Sequence, residues 1–184
     1  MRALVLGAGL MGRAAAFDLC RQPDIEEVIV ADVDAGRAEE AVSLARCTSA
    51  IAMELDARDR EAVLSAMRET DVVLGAVSYK VNLELSKLAI EAGAHWCDMG
   101  GNNAVVAAQL ALDESAKKAG VSVIPDTGLA PGMVSLLAMH GIGRMDRADR
   151  AHLRVGGLPV DPKPPLNYAL VFSVITVGQH RTFR

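Results

Sequence analysis

Three glycines, Gly7, Gly9 and Gly12, follow directly on the aliphatic run Ala3-Leu4-Val5-Leu6 and precede a segment with helical apolar spacing, Arg13 to Arg21, which stops before Pro23. A short aliphatic run closed by glycine reads as a buried strand of a parallel sheet. A second such run, Val28-Ile29-Val30-Ala31, ends in Asp32, 20 residues after Gly12. Strand, glycine turn, helix and strand thus form a βαβ unit of about thirty residues. The same stretch, with Arg2 and Ala14-Ala15-Ala16, has the outline of an export signal, but glycines in the apolar region make it a poor one.

In such a unit each glycine has a physical task. Gly7 permits the tight turn, Gly9 lets a pyrophosphate approach the backbone, and Gly12 lets the helix pack close to the strand. The free N–H groups and the positive end of the helix suit phosphate, and Ala8, Leu10 and Met11 are expected among the cofactor-binding residues with the three glycines. Asp32 is placed to accept hydrogen bonds from the adenosine ribose hydroxyls of a dinucleotide. A carboxylate there repels a 2′-phosphate, Val33 is no phosphate ligand, and Arg37 lies five residues further on, so the expected cofactor is NAD, with NADP disfavoured. Later strand ends complete the expected cofactor site: Asp56 and Ala57, then Ala76, Val77 and Ser78, then Asn102.

Strands and helices alternate along the chain. Helices are expected over Ala35 to Ala45, Arg58 to Glu69, Leu83 to Ala92 and Ala107 to Ala119, and strands over Ile51–Leu55, Val72–Val77, His95–Asp98 and Val121–Ile124. That alternation predicts an α/β fold, a doubly wound parallel sheet of the Rossmann type. From Pro125 the text turns rich in proline and glycine. A boundary near residue 130 divides a dinucleotide-binding domain, 1–130, from the beginning of a second α/β domain, 131–184. In the latter a helix is expected over Val134 to Ile142 and strands at Leu153–Val155 and Ala169 to Val177. Aromatics are only 3% of the chain, so the core must be aliphatic, and a net charge of -4 gives no case for nucleic acid or an anionic membrane. No apolar run reaches the roughly 18 residues of a membrane helix. Cys20, Cys47 and Cys97, scattered and odd in number, read as reduced thiols of a cytoplasmic protein.

Four stretches resemble the saccharopine dehydrogenase and lysine 6-dehydrogenase family: Gly7 to Gly12, His95 to Asn102, Pro125 to Met133, and Val155 to Pro159 with Pro164 to Tyr168. The resemblance implies a Rossmann domain followed by a substrate domain. It also implies oxidation of the CH–NH group of an amino-acid-derived amine, with hydride transfer to a nicotinamide and hydrolysis of the imine. Members of that family are about twice as long or more. The resemblance therefore implies that the chain stops as the second domain begins, and its last residues, from Ile175, look foreign to it. An inactive truncated fragment or a non-catalytic NAD(H)-binding regulatory module is the alternative reading.

Candidate catalytic residues follow from position at strand ends. Tyr79 is placed to orient substrate or relay a proton, Lys80 to hold a substrate carboxylate, and Asp98 to hold a substrate ammonium group, each against a plain reading as loop or cap. Pro131-Gly132 begin a helix whose N-terminus would suit a carboxylate, or simply mark a hinge. His95 and Cys97 lack a second ligand pair at zinc spacing, so no metal is expected. The expected partners are a small amino-acid substrate and, through an apolar face left by the unfinished second domain, further copies of the chain.

Overall fold

The computed structural model describes residues 1–156, 159 and 161–164. The chain divides into two compact units, Met1–Gly128 and Leu129–Arg184.

The first unit is a parallel sheet flanked by helices. Its strands are β1 (Arg2–Leu6), β2 (Glu27–Asp32), β3 (Ala50–Glu54), β4 (Val72–Gly75), β5 (His95–Asp98) and β6 (Val123–Ile124), in the order β3-β2-β1-β4-β5-β6. The chain winds outward from β1 in one direction and then, after β3, returns to β4 on its other side. This is the doubly wound Rossmann arrangement, and its crevice opens at the carboxyl ends of β1 and β4, where the winding reverses. Helices α1 (Leu10–Leu19), α2 (Ala35–Ala45), α3 (Arg60–Arg68), α4 (Tyr79–Ala92), α5 (Asn103–Leu110) and α6 (Asp113–Ala119) alternate with the strands.

Alternation along the strands explains the two-sided core. Leu4, Leu6, Ile29, Ala31, Val73 and Trp96 point to one face, where Val63 and Met67 of α3 and Leu85 and Leu88 of α4 cover them. Val5, Val28 and Val30 point to the other, against Ala16 of α1 and Ala41 of α2. Alanine at these helix positions brings α1 and α2 close to the sheet.

Several boundaries differ from the sequence expectation. Helix α4 starts at Tyr79, four residues before Leu83, because Ser78 takes an extended N-cap conformation directly after the β4 turn. The helix expected over Ala107 to Ala119 is two helices, broken at Ala111-Leu112, with Asp113 and Glu114 in the first turn of the second. Strand β4 ends at Gly75, and Ala76 lies beside Gly7. Leu153–Val155 is not a strand. The strand expected over Ala169 to Val177, and the stretch from Pro165 to Tyr168 that carries part of the family likeness, lie outside the described residues.

One chemical expectation is corrected. Cys20 and Cys47 are not separate thiols but form a disulfide, with Cα atoms 6.1 Å apart. Their separation of 27 residues hid the pairing; the crossover from α1 through β2 to α2 brings the two helix C-terminal ends together. Cys97 is the free cysteine.

In the second unit, Leu129–Met133 is a non-helical turn with a cis Ala130–Pro131 bond, followed by α7 (Val134–Ile142). Leu136, Leu137 and Met139 of α7 are exposed. No helix among the described residues is long and apolar enough to cross a membrane.

Candidate functional site

The glycine turn sits where β1 meets α1. Gly7 has φ +101°, open to glycine, and a Cβ there would lie 2.6 Å from the Ala76 carbonyl oxygen. The β4–α4 connection, Ala76, Val77 and Ser78, therefore lies against the turn, and Ala76 N–H donates to Leu6 C=O at 2.8 Å. A Cβ on Gly12 would overlap the Gly7 carbonyl oxygen, so α1 seats directly on the turn. Gly9 differs: a Cβ there would meet nothing within 4 Å. The backbone at Gly9 thus faces open space at the helix start, a cradle that a side chain would fill.

Gly9 is the N-cap of α1, and no acidic side chain sits in the first turn. The first intrahelical bond runs from Arg13 N–H to Gly9 C=O at 3.0 Å, and the amides ahead of it point out of the helix end. Leu10 and Met11 are exposed there, Leu10 by 84%. Amide donors, the dipole and missing side-chain bulk together fit a pyrophosphate.

Asp32, at the end of β2, braces this turn. Its Oδ2 accepts from Ala8 N–H at 2.7 Å and its Oδ1 from Asp34 N–H at 3.0 Å. A carboxylate has about four lone-pair positions, so capacity remains for ribose hydroxyls. Val33 is exposed beside it. Both nearby guanidinium groups are engaged by acids: Arg13 with Glu40 at 2.9 Å and Arg37 with Asp34 at 3.6 Å. Arg13 also donates through Nε to the Ala8 carbonyl at 3.2 Å, a brace of the turn that sequence reasoning missed.

The other expected residues fall at the same carboxyl edge but differ in availability. Asp56 is held by Arg58, which donates to Oδ1 at 3.0 Å and to Oδ2 at 2.8 Å; these bonds lower its pKa from the usual carboxylate value. Ala57 follows it, two strands away from β1. Tyr79 opens α4, half-buried, with its ring beside Gly101, where a Cβ would lie 3.2 Å from the ring. Lys80 and Ser78 are exposed. Asn102 caps α5: its Oδ1 accepts from Ala104 and Val105 N–H at 3.0 and 3.2 Å, so only its amide N–H groups can serve a ligand.

Asp98 departs from the expectation. It is 0% exposed and its carboxylate is met by protein donors. Oδ2 accepts from Trp96 Nε1 at 2.8 Å and from Gln109 Nε2 at 2.6 Å, and Oδ1 accepts from Gly100 N–H at 2.7 Å. Its backbone carbonyl accepts from both the N–H and the hydroxyl of Thr127. The carboxylate lies inside the unit, holding the Gly100-Gly101 turn in place, and not at the strand-end surface. Gln109, 1% exposed, also donates to Ser86 Oγ at 2.7 Å. The one available signal for Gln109 was a polar residue within the apolar run Val105 to Leu112.

Cys97 packs beside β4. Burial, and secondarily the charge of Asp98, push its thiol up to about 11. Among the described residues no group of three or more His, Cys, Asp or Glu side chains is arranged to hold a metal ion.

Residues 3–124 match the family described as saccharopine dehydrogenase NADP binding domain. The chain belongs to that family. Among curated relatives, saccharopine dehydrogenase (NADP+, L-glutamate-forming) of Schizosaccharomyces pombe is 30% identical over 176 residues. The enzyme of the same name from Saccharomyces cerevisiae is 28% identical over 176 residues. Both matches cover 92% of this chain and 38% of the relative, so the chain spans well under half of these relatives' length. The solved structure of apo saccharopine dehydrogenase (L-Glu forming) from Saccharomyces cerevisiae superimposes with a TM-score of 0.65 at 26% identity, covering 77% of this chain and 30% of that one. UDP-N-acetylglucosamine 3-dehydrogenase GnnA from Acidithiobacillus ferrooxidans shares the fold, with a TM-score of 0.55 at 19% identity, covering 78% of this chain and 42% of that one. The resemblance drawn from four motifs is thus correct at the level of family. The saccharopine dehydrogenase domain is one that binds a nicotinamide dinucleotide, and the Gly7–Gly12 turn is the part of this chain whose geometry fits that ligand's pyrophosphate.

Proposed function

We propose that the first unit binds a nicotinamide dinucleotide, with NAD(H) preferred over NADP(H), in the service of oxidoreduction at the CH–NH group of an amino-acid-derived amine. The observation that carries this reading is the Gly9 cradle with Asp32 bonded to Ala8 N–H beside it. The family description and the yeast relatives name NADP. The local charge supports the opposite preference here: Asp32, Asp34 and Glu40 outnumber Arg13 and Arg37, and both arginines are already paired. A 2′-phosphate beside Asp32 would meet repulsion, and the two arginines described near it, Arg13 and Arg37, are already paired with acids.

When bound, the nicotinamide supplies the hydride acceptor. The chain's own residues bind and orient. The α1 N-terminus holds the pyrophosphate, Asp32 the adenosine ribose, and Ala76 to Ser78 line the path from the turn toward α4. Tyr79 and Lys80, in the first turn of α4, are the candidates for proton relay and for a substrate carboxylate. Cytoplasmic residence, a small amino-acid substrate and self-association remain parts of this reading. The reading without chemistry, a binding module only, draws on the sealed position of Asp98, which removes one of the three candidate catalytic groups.

The test is titration with NADH and NADPH followed by nicotinamide fluorescence, on the parent and on Asp32→Ala. The expected result is saturable binding with NADH tighter, and in Asp32→Ala a weaker NADH constant and a smaller preference. Tighter NADPH binding in the parent would refute the ribose assignment. Amine-dependent NADH formation would separate enzyme from module.

A further inference from the structure

The Cys20–Cys47 disulfide lies at the far end of the helix that carries the phosphate site. Cys20 is the C-cap residue of α1, whose N-terminus is the Gly9 cradle. Cys47 follows the left-handed C-cap Arg46 of α2. The bond therefore ties the base of α1 to the α2–β3 connection. Both cysteines are half-buried, neither enclosed in the core. The same junction is closed by Arg21, whose Nη1 donates to the Phe17 and Ala45 carbonyls and whose guanidinium lies over the Phe17 ring. Covalent and non-covalent ties thus act on one seam, and the covalent one can be opened by thiol exchange.

We propose that Cys20 and Cys47 form a reversible thiol–disulfide site, served by a low-molecular-weight disulfide such as glutathione disulfide, that clamps α1 in its phosphate-binding position. One cysteine thiolate attacks the glutathione disulfide and releases one glutathione thiol; the second cysteine then attacks the mixed disulfide and releases the other. The protein loses two electrons and two thiol protons, and the glutathione disulfide gains both. Closed, the bond holds α1 against α2. Open, α1 is tied to α2 through Arg21, the Arg13–Glu40 ion pair and apolar packing, without the covalent link at its base, and its N-terminal amides are less pre-organised. The link to the cofactor rests on the nucleotide-binding reading; the clamp itself does not.

The whole chain is equilibrated with glutathione at set thiol-to-disulfide ratios, quenched with N-ethylmaleimide in denaturant and weighed. The expected result is three maleimide adducts at the reducing end and one, on Cys97, at the oxidising end, with a Cys20–Cys47 cross-linked peptide. Three adducts at every ratio, or glutathione left attached to either cysteine, would overturn the proposal. Amide hydrogen exchange over residues 10–19 is expected to be slower in the oxidised chain, and this difference should vanish in Cys20→Ser and in Cys47→Ser. Equal exchange in both states would overturn the clamp even if the bond forms. NADH is expected to bind roughly threefold more tightly to the oxidised chain, the size of a modest pre-organisation effect; equal affinity would overturn its link to the cofactor. Failure of NADH to bind either state would count against the proposed function, while mass and exchange would still decide the clamp.

Discussion

Replacing Asp98 with alanine discriminates an interior role for this carboxylate from a catalytic one. The substitution leaves three donors without an acceptor: Trp96 Nε1–H, Gln109 Nε2–H and Gly100 N–H, now bonded at 2.8, 2.6 and 2.7 Å. Each buried donor so stranded costs about 1–3 kcal/mol, more where its lost partner was charged. Partial relaxation and water entry reduce the sum, and a loss of about 3–6 kcal/mol is expected. Against a total stability of about 5–15 kcal/mol that is a large fraction, equivalent to a fall in Tm of roughly 10–20 °C for a chain of this size. Trp96 is the single tryptophan, so urea or thermal denaturation followed by its emission reports from the bond being cut. Asp98→Asn should be intermediate. Its one carbonyl oxygen can serve the Trp96 and Gln109 side or the Gly100 side, and its NH2 then faces a donor. Refutation would be an Asp98→Ala chain within about 1 kcal/mol of the parent. Such a result combined with lost amine oxidation would instead return Asp98 to substrate contact.

Three further outcomes follow from the same geometry. Gly9→Ala should leave the melting temperature nearly unchanged, since its Cβ meets nothing within 4 Å, yet weaken NADH binding by tenfold or more by filling the cradle; equal affinity by fluorescence titration would remove the pyrophosphate from the turn. Gly12→Ala should lower both stability and binding, because its Cβ overlaps the Gly7 carbonyl, and a parent-like melt would refute the close seating of α1. Cys97 gives a pH prediction. Its thiol titrates near 11 in the fold against 9.0 unfolded, so the unfolded chain releases this proton first as pH rises. The contribution is complete below pH 9 and is lost between about 9 and 11, amounting to at most about 3 kcal/mol. Cys97→Ala should flatten that part of the stability curve relative to the parent, and identical curves would refute the burial argument.

What the sequence by itself determined is local. A glycine turn between an aliphatic run and a helix, an acid at the second strand's end, and regular alternation dictate a Rossmann unit, because turn geometry and apolar period are read over a few neighbouring residues. Gly7, Gly12 and Asp32 were legible for that reason, and the helix Val134–Ile142 was placed to the residue. Tertiary structure decided what depends on distant partners. Asp98 carries the same local signature as Asp32, a carboxylate at a strand end, yet Trp96 and Gln109 enclose it while Asp32 stays partly open at the crevice. The early start of α4 came from Ser78 taking the N-cap conformation directly after β4, in a connection whose Ala76 packs against Gly7, nearly seventy residues away in the chain. Cys20 and Cys47 met only because the crossover folds two helix ends onto one seam. Alternation along β5 puts Trp96 and Asp98 on one face, but burial and pairing are properties of packed surfaces, and no spacing along the chain encodes that Gln109 closes over that strand end while the end of β2 stays partly open.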